Sequence, residues 1–409
     1  MTDLYLYQAV VCMAFYRNLS PLERSSYLAF EEADSSPRIN QFILEGEGEF
    51  DLALLRKAVA QAAKVHPGSR LKLKGASKLS YWDDGGAPPN VVEHDASNWD
   101  AHSTIETDFF YPSMSFRDGP TVELVVLGNR NNNLVRLLAR THHAVMDGGG
   151  TVAFLKDVFR ALRNEPLMGS NSNVADFDIF KQKDFGGGEF KADSWDTISA
   201  FGPPEGNSKK SLWRRISLSH SPSRALQKVA LLIAKEAWSY QQGNVRLRIP
   251  VDLRRHLDSG TVTLANCTGA IDLDILAEDS ERSLFKQMAK KLKANEELIM
   301  SRKLGLVSWA PIKMFRTNEQ MIKRHYSRGL FQRTGTISHM GKVETADYSC
   351  PGFKVLCGYG VAPKFDMQSI YVGMWDSDQG LEVVCSSPEA FGGNGRLDKF
   401  VANVKENLI

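Results

Sequence analysis

Residues 140–150 read Arg-Thr-His-His-Ala-Val-Met-Asp-Gly-Gly-Gly. No other stretch of the chain constrains its folding so tightly. Before it, residues 121–127 and 134–141 are β-rich runs separated by an Asn/Arg/Gly-rich connection, which predicts a β-hairpin. After it, Val152, Leu155, Phe159 and Leu162 recur at helical spacing up to Asn164. The two histidines therefore sit where a strand runs out into a glycine-rich turn and then a helix. Whatever fold the chain adopts must bury that strand and still leave room for the turn.

Adjacent residues on a strand point to opposite faces. His142 and His143 then do not share one substrate atom or one metal ion: one faces a reaction and the other is held against the structure. Histidine is the side chain best suited to accept a proton near neutral pH. Asp147 is placed to pair with an arginine, and Gly148, Gly149 and Gly150 permit close backbone approach or positive φ. The plain alternative is two satisfied polar residues at a strand end. A metal site is a further alternative, but the helical His pair or Cys/His set that marks zinc is missing, so no metal is expected.

His142 through Gly148 matches the HHxxxDG signature of the acyltransferase superfamily with the chloramphenicol acetyltransferase-like fold, which includes condensation domains and the polyketide-associated and wax-ester acyltransferases. Other segments resemble the family in the same order. Leu19-Ser20-Pro21-Leu22-Glu23-Arg24 is similar to an opening LSPLxR, and residues 50–70 resemble a first long helix ending in HPxLR, with Ser69 in place of an apolar residue. Asp118-Gly119-Pro120 resembles the segment leading into the strand before the motif. Residues 245–255 look like the strand carrying PVDLR. Asn266 falls where the family has Gly-Asn, after Ala265, and Ser338-His339-Met340-Gly341 is similar to SNxG with His339 for Asn.

Length and composition fit that resemblance. A chain of 409 residues exceeds the usual single core, so two lobes are expected. The 43% hydrophobic content suffices for both. A net charge of +2 argues against nucleic acid as the main partner. No apolar run reaches the ~18 residues of a membrane helix; residues 5–15 come nearest and do not read as a signal peptide. Five scattered cysteines (Cys12, Cys267, Cys350, Cys357, Cys385) without CxxC spacing read as free thiols of a cytoplasmic protein.

The halves divide near residue 205: 1–205 as an amino-terminal lobe with the motif and a crossover, 206–409 as a carboxy-terminal lobe. Residues 165–211 are rich in Gly, Asn, Ser, Asp and Pro, yet Phe177, Phe180, Phe185, Phe190 and Trp195 suggest an ordered crossover. Beyond it we expect strands at 212–218 and 245–253, helices at 224–240 and 280–298, a hairpin over 370–385 and a last helix over 396–408. The fold class is α/β, with mixed sheets in two lobes. A tunnel at their interface is implied by the resemblance.

No Gly-x-Ser-x-Gly elbow occurs, so direct transfer is expected in place of an acyl-enzyme. The resemblance implies that His143 is the general base, with His142 structural. Asp147 locks the loop with Arg254, or with Arg24 as the second candidate, and Ser338 serves the oxyanion or is a turn serine. Gly148 and its successors are expected to let a pantetheine arm pass. No permanently bound cofactor is expected: the co-substrate is acyl-CoA or a phosphopantetheinyl carrier protein, and the acceptor is an alcohol or amine. Basic clusters at 209–215, 290–293 and 313–328 are candidates to meet coenzyme A phosphates or an acidic carrier, although such runs are commonly solvated faces. Two readings remain beside the dedicated acyltransferase: a free-standing condensation enzyme working between carrier proteins, and a catalytically degenerate docking module.

Overall fold

The computed structural model describes residues 15–28, 38–76, 79–104, 109–128, 134–182, 194–208, 210–299, 324–326, 328–363 and 368–409. Two mixed sheets carry the fold. The first runs in the order β12 (Phe353–Val361), β2 (Ile39–Gly48), β7 (Leu134–His142), β6 (Val122–Gly128), β5 (Asn90–Asp95). All its pairs are antiparallel except β5 with β6. The second runs β10 (Thr268–Ile275), β9 (Val245–Asp252), β11 (Gly335–Val343), β13 (Ile370–Ser377), β14 (Gly380–Pro388), β8 (Ser211–Leu218), with β11 parallel to both neighbours. A small third sheet joins β1 (Phe15–Asn18), β4 (Tyr81–Asp83) and β3 (Lys72–Lys74).

The predicted hairpin is present as β6 and β7, with Val122 opposite Thr141. Its connection, 129–133, lies outside the described residues. Apolar stripes at helical spacing explain the helices that cover each sheet. Leu52–Val65 begins at Asp51, whose side chain accepts the backbone N–H groups of Ala53 and Leu54. It buries Leu55, Ala58, Val59 and Ala62 in the first core beside Phe154, Leu155 and Val158 of the motif helix Gly148–Leu162. The second core takes Val229 and Ile233 from Ala225–Tyr240, Leu284 from Glu281–Lys293 and Phe400 from Arg396–Leu408. The helix expected over 280–298 stops at Lys293 and is followed by a separate 3-10 turn, Glu296–Leu298; Asn295 between them is left-handed, with φ 53°.

Among the described residues, packing crosses residue 205 in both directions: Ile198, Ala200 and Phe201 are buried in the second core. β12 belongs to the carboxy-terminal half in sequence, yet it pairs with β2 at the edge of the first sheet. Phe353, Val355, Tyr359 and Val361 explain this, since all are buried in the first core. The crossover is also more regular than its composition suggests: it contains the helix Asp176–Gln182, on which Phe177 and Phe180 stack with ring centres 5.7 Å apart. Phe185 and Phe190 lie outside the described residues.

Arg215 on β8 joins the sheets. It donates to Glu382 on β14 at 2.7 Å and lies within 3.5 Å of Glu45 on β2. Its guanidinium also sits over the Tyr359 ring, 3.8 Å from the centre. Arg136 holds Glu45 from the other side at 2.6 Å. Charges this deep require such mutual pairing. In the basic cluster at 209–215, Arg215 is buried and Arg214 pairs with Asp398 at 2.6 Å, Lys210 is exposed, and Lys209 lies outside the described residues. Most of the cluster at 313–328 lies outside the described residues.

Candidate active site

The strand β7 ends at His142, and residues 143–147 form a tight loop before the motif helix. Nearly every polar backbone group of that loop has a partner. His143 N–H donates to the Arg38 carbonyl, and Val145 N–H to the His142 carbonyl. Ala144 N–H donates to Nδ1 of His142 at 3.1 Å. The Val145 carbonyl accepts from Arg17 at 3.3 Å and the Met146 carbonyl from Asn40 at 2.9 Å. The Thr151 hydroxyl donates to the Asp147 carbonyl at 3.0 Å. A loop with its backbone satisfied in this way holds one geometry.

Those bonds separate the two histidines. His142 is fully buried, edge-on to Phe116, and its Nδ1 is used by the loop. His143 lies in the turn, half-buried, between two residues that the sequence did not mark as its partners. Tyr27 stacks on its ring at 4.2 Å between centres, with planes 17° apart. Asn266 sits against its edge, with Oδ1 3.1 Å from Nδ1. Burial lowers the His143 pKa below that of an ordinary histidine, against the raising effects of its own backbone oxygen, Asp147 and Asn266. Burial thus favours the neutral ring, the state a base requires.

Asp147 caps the motif helix by accepting the Gly150 N–H at 2.8 Å. Its carboxylate is also met bidentately by Arg254, at 2.9 and 3.1 Å, and by the Cys267 N–H and the Thr268 hydroxyl at 2.8 and 2.9 Å. Burial alone would raise the Asp147 pKa, but Arg254 and the N–H donors carry it below the usual carboxylate range. Arg254, the first of the two arginines considered, lies just past β9 in the turn Leu253–His256. It also donates to the carbonyls of Thr263 and Ala265. Arg24 is buried in the amino-terminal segment, where Arg17 pairs with Glu23 at 2.7 Å and Trp82 donates to the same carboxylate at 3.0 Å. That anchoring sets the position of Tyr27.

One short run of the second lobe thus wraps the motif of the first. Leu264 packs its carbonyl on Gly150, Ala265 holds Arg254, Asn266 grips His143, and Cys267 and Thr268 hold Asp147. The site lies at the interface of the lobes. At each of the three glycines, the place a Cβ would take is filled by the protein's own atoms. A Cβ on Gly148 would meet the Met340 methyl, one on Gly149 would stand 2.6 Å from Nη1 of Arg254, and one on Gly150 would overlap the Leu264 carbonyl. The glycines admit the second lobe on the side where a Cβ would stand.

Ser338 is buried on β11, with Oγ 3.6 Å from the Met340 sulfur and a hydrogen bond to Tyr371. No bond in the described structure carries it to His143; Met340 links its segment to Gly148. His339, where the resemblance has Asn, pairs with Asp376 at 3.1 Å. Cys267, Cys357 and Cys385 are buried free thiols, and burial pushes the last two up to about 12. No helix among the described residues is long and apolar enough to cross a membrane.

No family model matches the chain, and no curated protein matches it in sequence. Its fold is nevertheless shared with solved structures. The first condensation domain of the calcium-dependent antibiotic synthetase, in complex with a substrate analogue, superposes with a TM-score of 0.64 at 13% identity, over 96% of this chain and 95% of that one. The starter condensation domain of rhizomide synthetase in complex with C8-CoA gives 0.61 at 13%, over 96% and 95%. The epimerization domain from the third module of tyrocidine synthetase B gives 0.58 at 13%, over 96% and 95%. The chain therefore has the two-lobed chloramphenicol acetyltransferase-like fold of condensation domains.

Proposed function

We propose that the protein is a condensation-type enzyme that moves an acyl group from a phosphopantetheinyl thioester to an amine or hydroxyl. His143 is its general base. One observation carries this reading: His143 stands at the lobe interface between the Tyr27 ring and the Asn266 amide, with its loop locked by Asp147 and Arg254. The nucleophile attacks the thioester carbonyl as Nε2 of His143 takes its proton. A C–N or C–O bond forms, the oxyanion collapses, the C–S bond breaks, and the proton passes to the leaving thiolate. Ser338 is the proposed oxyanion donor from the second lobe. Tyr27 and Asn266 orient the ring, and Asp147 keeps the loop.

The likeness to condensation domains supports work on carrier-bound or coenzyme A thioesters more than a polyketide-associated or wax-ester acyltransferase. A degenerate docking module would have no use for a histidine braced by Tyr27 and Asn266 in so closely bonded a loop. Incubation with acyl-loaded carrier proteins and with acyl-CoA, in the presence of amine and alcohol acceptors, tests the reading by intact-mass spectrometry. Acyl loss from a donor, with the matching mass gain on an acceptor, is the expected result, slowed about 100-fold or more by His143→Ala. Equal rates for wild type and His143→Ala would overturn it.

A further inference from the structure

The helix Glu281–Lys293 buries Leu284 and turns one face to solvent. Its exposed positions are Arg282, Phe285, Lys286, Ala289, Lys290 and Lys293, which recur at the i, i+3, i+4 spacing and so form a single stripe. Four of the six are cations and none is an anion. Among the described residues these four cations have no ion-pair partner, whereas Lys291, off the stripe, pairs with Glu296 at 2.8 Å. Phe285 is 54% exposed within the stripe, and Leu276, in the turn leading into the helix, is 55% exposed. A solvated helix face does not explain this pattern. The helix dipole favours Lys290 and Lys293 in the last turn but disfavours Arg282 in the first. Arg282 with Lys286, and Lys286 with Lys290, are like charges four residues apart, and each such pair is destabilising. Phe285 adds a large apolar surface in water between them.

We propose that this stripe is a docking surface for a phosphopantetheinyl carrier protein, receiving an acidic helix of the carrier on its four cations with Phe285 as the apolar anchor. The proposal rests on the thioester chemistry proposed above and names the surface that delivers the substrate. An acidic helix laid along the stripe relieves the repulsion and covers the ring together. Arg282 and Lys293 are separated by about 16 Å of helix, a length that suits an opposing helix and exceeds the reach of a compact group of coenzyme A phosphates. The stripe is also tied to the site. Arg255 donates to the Leu292 carbonyl at 2.9 Å and pairs with the buried Glu297 at 3.4 Å, while its neighbour Arg254 holds Asp147. The Glu297 carbonyl fills the place a Cβ on Gly269 would take, next to Thr268, which also holds Asp147. The basic end of the helix therefore stands beside the turn that closes the lobe interface.

The test compares an acidic, octanoyl-loaded carrier protein with octanoyl-CoA, reading carrier binding by fluorescence anisotropy and transfer from each donor by kcat/KM. Wild type should bind the carrier with an affinity that falls steeply with salt. Combined reversal by Arg282→Glu, Lys286→Glu and Lys290→Glu should raise the carrier Kd about tenfold or more and flatten its salt dependence. The same variant should keep its kcat/KM with octanoyl-CoA, which also reports that the fold is intact. Phe285→Ala, a single change at an exposed position, should weaken the carrier several-fold with the salt dependence kept. No binding of the carrier by wild type, or binding indifferent to the charge reversal and to Phe285→Ala, would overturn the proposal. A loss confined to octanoyl-CoA would overturn it too, by placing the nucleotide phosphates on the stripe. Stripe-dependent binding without transfer from either donor would sink the proposed reaction and leave the docking surface standing.

Discussion

Gly149 lies against the guanidinium of Arg254, so close that a Cβ there would stand 2.6 Å from Nη1. The salt bridge between Arg254 and Asp147 therefore depends on a residue without a side chain beside it. The neighbouring glycines face atoms of different stiffness, which ranks their substitutions. Gly148 meets the end of the flexible Met340 side chain. Gly149 meets an arginine fixed by Asp147 and two carbonyls, and Gly150 meets backbone at Leu264. Urea unfolding should accordingly find Gly148→Ala least destabilising, Gly149→Ala intermediate and Gly150→Ala most, the last by roughly 3 kcal/mol or more. A Gly148→Ala cost equal to that of Gly150→Ala would refute the ranking.

The Asp147–Arg254 pair couples the lobes, with the carboxylate buried and both terminal guanidinium nitrogens bonded to it. Removing either partner leaves the other charge buried and uncompensated, a loss of roughly 3–5 kcal/mol. A double-mutant cycle with Asp147→Asn and Arg254→Met should return a coupling well above the ~1 kcal/mol of exposed pairs. Additive single-mutant effects would mean that the carboxylate is held by Gly150, Cys267 and Thr268 alone.

Acid should find the same weak point. Asp147 has a folded-state pKa below its unfolded value of about 3.9, because Arg254 and the N–H donors outweigh burial. Its contribution to stability is therefore fully present above the unfolded pKa and disappears as pH falls through the folded one. The stability gap between wild type and Asp147→Asn should be widest near neutrality and should narrow progressively below ~pH 4. A gap that stays constant on acidification would contradict the assignment.

These contacts also show where the sequence was legible. The hairpin, the motif helix and the carboxy-terminal helix were readable because apolar period and turn residues agree there. His143, Asp147 and Arg254 were singled out through the motif and the PVDLR-like segment, and the last two pair in the structure. The path of β12 was not readable: its apolar run fits either sheet, and only the three-dimensional edge beside β2 decides. The glycines were legible only in part, for a related reason. A sequence shows that a Cβ is excluded, but not whether a ligand or the protein's own second lobe fills the space. Tyr27 carried no signal either, since it lies 116 positions before the ring it stacks on and outside every motif-like segment.

Tyr27 gives the last prediction. It is buried, its hydroxyl pKa is raised by burial, and its ring covers one face of His143 at 4.2 Å. Two contributions are separable. The stacked ring excludes water and helps hold His143 below the ordinary histidine pKa of 6.5. The hydroxyl adds nothing to that shielding. Tyr27→Phe keeps the stack and should leave both the rate and its pH profile close to wild type. Tyr27→Ala opens one face of the ring, so the His143 pKa should rise toward its ordinary value. Because the base works only when deprotonated, the acid limb of kcat/KM should then move to higher pH, and activity at pH ~6 should fall more than activity at pH ~8. A uniform loss at every pH in Tyr27→Ala would mean that the stack positions the ring without tuning it. A large loss in Tyr27→Phe would transfer the role to the hydroxyl.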